Sequence, residues 1–296
     1  VSGPAFQAPL TKTSMVCNGE ITNNIKLLCD NIGMTVVRKP DNAEAITRTH
    51  TVFGMKNPLK AALELLSVAV DQEGTPYFLY QTLSNNVYLA PLSWMNKNPV
   101  YRTFTYTDQQ KSDPNSELEY FERSSQIVKL SSNIGTSPAE QIVKGGGSRI
   151  MRQMDLDTKK TEEFFPNNVR ETPLESVLPD YMKPFVKYRF TQPNANDNPL
   201  GAPPLSVLKA EYQEHLNAQI IAYDSISHQF SIMGDMFLNP GRTVNLQFPK
   251  TLDPARNPTR DIYDTKLSKD YLVFQSVHTF QEGKHTTEVT AKSNDY

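Results

Sequence analysis

Eight prolines fall between Pro166 and Pro204, interleaved with the polar run Asn194-Ala195-Asn196-Asp197-Asn198. Each proline removes a backbone donor and pushes the residue before it toward extended backbone, so the stretch suits neither a central strand nor a long helix. It reads as an insertion that projects from, or wraps around, a main body. The 296 residues allow one large domain or two ordinary ones. With 38% hydrophobic residues, 14 Phe and 13 Tyr, the chain can fill an interior, which excludes general disorder. The 30 basic and 32 acidic residues leave a net charge of −2, so no chain-wide pull toward nucleic acid or an anionic membrane exists.

Elements can be read on both sides of the insertion. Ile21, Ile25, Leu28 and Ile32 are spaced for an amphipathic helix between Gly19 and Ile32, with Asn18 as its cap and Gly33 as its stop. A second helix has Asn57 as cap, Pro58 at its first position, a buried stripe of Leu59, Leu63, Leu66 and Val70, and an end at Gly74. PYFLYQTL and VYLAPL flank Ser84-Asn85-Asn86 and predict a β-hairpin. VYRTFTYT, SQIVKLSS and RIMRQMDLDT read as further strands.

Beyond the insertion, LSVLKAEYQEHLNA predicts a helix with Leu205, Leu208, Tyr212 and Leu216 on one face. IIAYDS, SHQFSIMGD, RTVNLQF, YLVFQSVHTF and HTTEVTAK then follow as strand candidates, a density that argues for a sandwich or barrel. The interruption from Pro249 to Asp270 reads as an exposed loop. It and the Pro-rich insertion are the first choices for partner contacts, because long ordered loops in compact domains are usually functional.

A search for chemistry nominates no catalytic, cofactor-binding or metal-binding residue. The five histidines, His50, His215, His228, His278 and His285, form no zinc-spaced set. His278 and His285 face opposite ways if their loop has three residues, and lie diagonally on one face if the loop is Glu282-Gly283 alone. Ordinary sheet positions are the reading given to both. Gly145-Gly146-Gly147 precedes strand-like text where a phosphate cradle needs a helix, so it reads as a hinge. Asp155/Asp157 and Glu162/Glu163 offer only proximity and read as solvated faces. Lys159-Lys160 is cancelled at once by Glu162-Glu163, and no aromatic-basic stripe for nucleic acid appears. Trp94 is a core or semi-buried residue before it is an interface anchor. Cys17 and Cys29, placed on one helical segment, read as free thiols in a reducing compartment. No apolar window of about 20 residues and no signal-peptide core occurs, so no membrane insertion is expected and the chain reads as made in the cytoplasm.

Three segments carry a resemblance. NPLKAALELLSVAVDQEGTPYFLYQTLSNNVYLAPLSW, a helix then a hairpin, is similar to a segment of the baseplate hub subunit of contractile-tailed bacteriophages, the hub of T-even-like phages. KAEYQEHLNAQIIAYDSISHQFSIMGDMFLNPGRTVNLQFP resembles the same family's late run, in which a helix and two strands enclose Leu238-Asn239-Pro240-Gly241 before Val244 and Leu246. YLVFQSVHTFQEGKHTTEVTAKSND resembles its closing hairpin. Together they cover about a third of the chain, in family order.

The resemblance implies an α+β, mainly β fold. Residues 1–99 would form a helix-hairpin domain, 100–148 with 205–296 a tube-type β-barrel or sandwich, and 149–204 the Pro-rich insertion. It implies a non-catalytic, cofactor-free virion protein of the tail baseplate, assembled in the host cytoplasm. Its homotrimeric ring would join the tail tube to the central spike. The expected partners are other copies, the spike, tube or tube-initiator proteins, the tape-measure protein and neighbouring baseplate proteins, with DNA only in transit through a lumen. The family places a tube barrel before its helix-hairpin unit, and none is read here: either it has been trimmed, as a start at Val1 rather than Met hints, or it is carried on another chain, or the family assignment holds only for the later part. The alternatives are a cell-envelope-degrading tail enzyme and a hub component of a phage-related injection or secretion machine.

Overall fold

The computed structural model describes residues 12–41, 43–83, 86–106, 124–134, 148–155, 159–164, 185–191, 202, 205–223, 226–249 and 263–293. Two compact units divide the chain, Val1–Trp94 with Thr136–Ala222, and Met95–Gly135 with Tyr223–Asp295. The fold is α+β and mainly β, and it includes a closed six-stranded barrel.

In the first unit, β1 (Thr13–Glu20) pairs antiparallel with β3 (Arg48–Lys56), while α1 (Ile21–Asp30) and α2 (Pro58–Leu66) pack together. β2 (Val36–Arg38), β5 (Val87–Pro91) and β4 (Tyr77–Gln81) make a three-stranded sheet in that order. The hairpin read from the aromatic runs is therefore present, with its Ser84-Asn85 tip outside the described residues. Ile21, Ile25 and Leu28 are fully buried, as their helical spacing requires. The cap of α1 is Glu20 rather than Asn18, which instead pairs with His50 in the β1–β3 ladder. Cys17 consequently lies on β1 and only Cys29 on α1, because strand backbone continues up to the cap; both thiols are buried, and desolvation raises each to about 11.

α2 begins as read, with Pro58 at its start and the Asn57 side chain accepting from Lys60 N. Its buried face, however, is Pro58, Ala61, Ala62 and Leu65, with Leu63 exposed. Small alanines let the two helices approach closely, and that rotates the contact stripe away from the larger leucines. The helix also stops at Leu66, capped at Ser67, and Gly74 sits in a separate turn held by Asp71, whose carboxylate accepts from Glu73 N, Thr75 N and Thr75 Oγ1.

The remaining elements of this unit lie nearer the prolines. β8 (Ser148–Asp155) is flanked by β9 (Thr161–Phe164) and by β10 (Phe185–Thr191), a strand not foreseen in the Pro-rich tract. It occupies the proline-free run between Pro184 and Pro193 and takes an edge position, parallel to β8. The eight prolines of the tract, like the Gly145–Gly147 run, lie outside the described residues. α4 (Leu205–Leu208), a π-helical segment (Lys209–Gln213) and α5 (Glu214–Tyr223) form the foreseen helix, with Leu205 and Leu208 in the first core and Leu216 buried. The IIAYDS segment is a correction, because Ile220–Tyr223 continue α5 and form no strand. A short apolar run does not distinguish a strand from a buried helix end.

The chain passes from the first unit to the second within α3 (Leu92–Lys97), and the second unit holds the barrel. Its strand order is β11 (Ile226–Met233), β14 (Lys284–Ser293), β13 (Lys269–Gln281), β12 (Thr243–Gln247), β6 (Val100–Tyr106) and β7 (Gln126–Ile134), which returns to β11. Period-two alternation turns Phe104, Ile127, Phe230, Ile232, Val244, Leu246, Tyr271, Val273, Val289 and Ala291 into one core. Of the Pro249–Asp270 interruption, residues 250–262 lie outside the described set, and Asp264 N donates to Phe248 O where the chain returns.

One histidine belongs to this interior. His228, with 0% exposure, lies between the rings of Phe248 and Tyr271 at 4.8 and 4.9 Å. Tyr271 Oη donates to Leu267 O at 2.8 Å, so it accepts from His228 Nε2, and Nδ1 is left to accept from Ser132 Oγ at 2.8 Å. Burial, and then the Lys269 charge, lower its pKa to about 4.

Two outcomes are expected. Glu20 accepts from Thr22 N, Thr22 Oγ1, Asn23 N and Ala45 N, so Glu20→Ala leaves several buried donors unpaired and lowers the denaturant midpoint by an amount worth about 2 kcal/mol. For His228 the folded value lies below the unfolded one, so the unfolded chain binds more protons between the two. Stability is full above about pH 6.5 and falls by up to about 3 kcal/mol as pH drops toward 4. Urea titrations across that range check this, and His228→Gln flattens the dependence.

Candidate functional site

The barrel end formed by the β13–β14 turn and the loop after β11 gathers His278, His285, Thr287, Asp235, Tyr101 and Arg102 into one polar cluster. The turn is Glu282-Gly283 alone, both residues at positive φ, 49° and 74°. Such a two-residue turn matches strand twist and fixes the register. Phe280 opposes His285 and His278 opposes Thr287, so of the two arrangements open from the sequence the diagonal one is realised. His278 Nδ1 lies 3.2 Å from His285 Nε2 and 3.2 Å from Thr287 Oγ1. Burial, and secondly the neighbouring His285, hold His278 below the ordinary histidine range.

The loop after β11 is pinned against this hairpin. Gly234 N donates to His285 O at 2.9 Å, and a Cβ on Gly234 would fall 2.0 Å from the His285 ring, so only glycine permits the approach. Asp235 follows, buried. Its backbone N donates to Thr287 Oγ1 at 2.9 Å, and its carboxylate accepts from Phe237 N at 3.0 Å and from Tyr101 Oη at 3.1 and 3.0 Å. Arg102 lies 3.5 Å from the same carboxylate, and Arg242 covers the Tyr101 ring at 4.5 Å. Leu238 plugs the core, while Gly241 at positive φ turns the chain into β12, where Val244 and Leu246 are buried. The loop's apolar side chains that do not enter the core, Met236 and Phe237, are 51% and 68% exposed, and Phe280 on the hairpin is 65% exposed. A rigid polar frame thus presents large apolar groups to the outside.

Elsewhere on the barrel, a cavity of about 650 Å³ crosses β7, β11, β14 and β13, with Lys129, Gln229, Ser231, Gln275, Glu288 and Thr290 in its lining. One amine and one carboxylate among hydroxyls and amides make no nucleophile-base pair and no pair of acids. Among the described residues no three His, Cys, Asp or Glu side chains converge as a metal-holding group, and no helix is long and apolar enough to cross a membrane.

Other positions raised by the sequence belong to the first unit. Trp94 on α3 is half-buried, and Lys159, Lys160 and Glu163 are exposed. Asp155 and Glu162 are on β8 and β9, and Asp157 lies outside the described residues. The residues that sequence reasoning missed, Tyr101, Arg102 and Asp235, meet only because β6 and the loop after β11 reach one barrel end. The sole local hint was Gly234-Asp235 directly after an alternating strand.

No protein-family model matches the chain, and no curated protein matches it. Among solved structures, it is similar to a tail protein from Neisseria meningitidis, with a TM-score of 0.51 at 9% identity, over 98% of this chain and 72% of that one. It also aligns with the 43 kDa tail protein of prophage MuSo2 from Shewanella oneidensis, with a TM-score of 0.43 at 8% identity, over 94% and 64%. A third match is a chain in a topological model of the P2 virion baseplate in its activated conformation, with a TM-score of 0.25 at 10% identity, over 95% and 68%. This chain shares its fold with a tail protein. That statement rests on the first of these likenesses, and at 9% identity it is one of fold alone.

Asp235→Ala removes the acceptor for Phe237 N and Tyr101 Oη and the partner of Arg102. The expected loss is about 2–3 kcal/mol in thermal or chemical unfolding, against less than about 0.5 kcal/mol for Asn245→Ala, whose bond to Asp270 is solvent-exposed.

Proposed function

We propose that this chain is a structural subunit of a phage tail baseplate, specifically a hub protein whose copies close into a trimeric ring between the tail tube and the central spike, without catalysis. The observation that carries the reading is a closed six-stranded barrel in a chain that shares its fold with a tail protein. The ordered resemblance of three segments to the hub family of contractile-tailed phages supports the finer assignment. In this reading the chain resides in the virion tail, is assembled in the host cytoplasm, and contacts the spike, tube or tube-initiator proteins, the tape-measure protein and neighbouring baseplate proteins. DNA passes only through the ring's lumen.

The physical requirement for such a part is self-complementary surface rather than a reactive cleft. Closure of a cyclic assembly satisfies every copy's interface, and a rigid display of Met236, Phe237 and Phe280 suits the apolar centre of one. A hub in a phage-related injection or secretion machine would use the same ring.

Mass photometry at micromolar concentration is expected to give a trimer, and negative-stain averages a threefold ring with a central hole. Phe237→Asp with Phe280→Asp is expected to shift the population toward monomer by about tenfold or more in dissociation constant, with the monomer still folded by circular dichroism. A wild-type monomer that cleaves peptidoglycan would overturn the reading in favour of a tail enzyme.

A further inference from the structure

We propose that His278 and His285 form a two-histidine site for a borderline divalent transition-metal ion, Zn²⁺ or Ni²⁺, with His278 Nδ1 and His285 Nε2 as the protein ligands and solvent completing the sphere. The inference is independent of the hub assignment. Zinc held tetrahedrally at about 2.0–2.1 Å from each nitrogen separates two imidazole nitrogens by about 3.3–3.4 Å. The observed separation is 3.2 Å. Imidazole is also the nitrogen ligand that suits zinc and nickel.

An Nδ1–H on His278 would donate to His285 Nε2, whereas with the proton on Nε2 hydrogen bonding alone accounts for the arrangement incompletely. Thr287 Oγ1 accepts from Asp235 N, which leaves its hydroxyl hydrogen to donate to His278 Nδ1. That nitrogen has a single lone pair, and the Nε2–H of His285 would compete for it at the same distance. A cation between the rings engages the lone pairs of both nitrogens at once, while Thr287 keeps its bond from Asp235 N.

The pair is also built to hold its geometry. Phe280 stacks on one side of the His285 ring, with centroids 4.2 Å apart and planes 12° from parallel, and Gly234 closes against that ring as well. The Nε2 of His278 is buried and makes no hydrogen bond, so that ring can be reached only through Nδ1. Both histidines are partly exposed, which gives water access to the remaining positions. The Asp235 carboxylate adds a negative charge near His278. Ligands on a rigid hairpin with fixed rotamers lose little entropy on binding.

Untagged full chain, stripped with chelator and dialysed, would be titrated with ZnCl₂ and with NiCl₂ by calorimetry at pH 7.5, with histidine ring resonances followed by NMR. The expected result is one ion per chain with micromolar affinity, ring shifts confined to His278 and His285, and an affinity loss of at least about tenfold in His285→Gln and in His278→Gln. His50→Gln, on β3 in the other unit, leaves binding unchanged. Absence of binding up to millimolar metal, or ring shifts at the other histidines instead, would overturn the proposal. Should either Gln variant unfold, the wild-type ring shifts alone decide.

Discussion

Everything in the second unit depends on β11 being paired along both edges. From Ile226 to Ile232 it bonds antiparallel to β7 on one side, and from Ile226 to Met233 to β14 on the other. With no free edge, its alternation is fixed, and His228, Phe230 and Ile232 can only point inward. The closing contact between β6 and β7 is much shorter, Thr105 with Gln126 and Tyr106 with Ile127. The barrel is therefore a firm antiparallel ladder from β7 through β11, β14 and β13 to β12, closed by β6, which runs parallel to both of its neighbours, and the polar frame at its end inherits its precision from that ladder.

That frame also shows how a fold can expose apolar groups without softening. Asp235 ties the loop to β6 through Tyr101 and to β14 through Thr287, and Leu238 anchors it in the core. Met236 and Phe237 lie between two such fixed points. An exposed aromatic held this way gives up little conformational freedom when a partner covers it. The same frame seats the two histidines, so the surface a partner would meet and the nitrogens a metal would meet share one support.

What was legible in the amino-acid text followed from local physics. Asn57 and Pro58 mark the start of α2 because cap and first-turn preferences act within a few residues, and β11 to β14 are readable because each alternates. Where tertiary packing chose, the text misled. The alanines of α2 face the core because close helix packing outranked side-chain size, and Glu20 outcompeted Asn18 as a cap by also reaching Ala45 N. The two loop lengths for His278 and His285 could not be separated because Glu282 is not a residue that announces a left-handed turn. Asp235 with Tyr101 was out of reach altogether, since the two lie on segments joined only through the barrel.

The barrel's strands come from two stretches of chain that the residues of the first unit separate: β6 and β7 before, β11 to β14 after. Val100 has to find Thr243, and Ile134 has to find Ile226. During synthesis β6 and β7 emerge long before β11 to β14 exist, and the ladder between the two is only two residue pairs long. Their unpaired edges must be kept from other chains until β11 to β14 have left the ribosome. Closure of the barrel thus waits for β14, and chain termination anywhere before it leaves an open sheet rather than a smaller barrel.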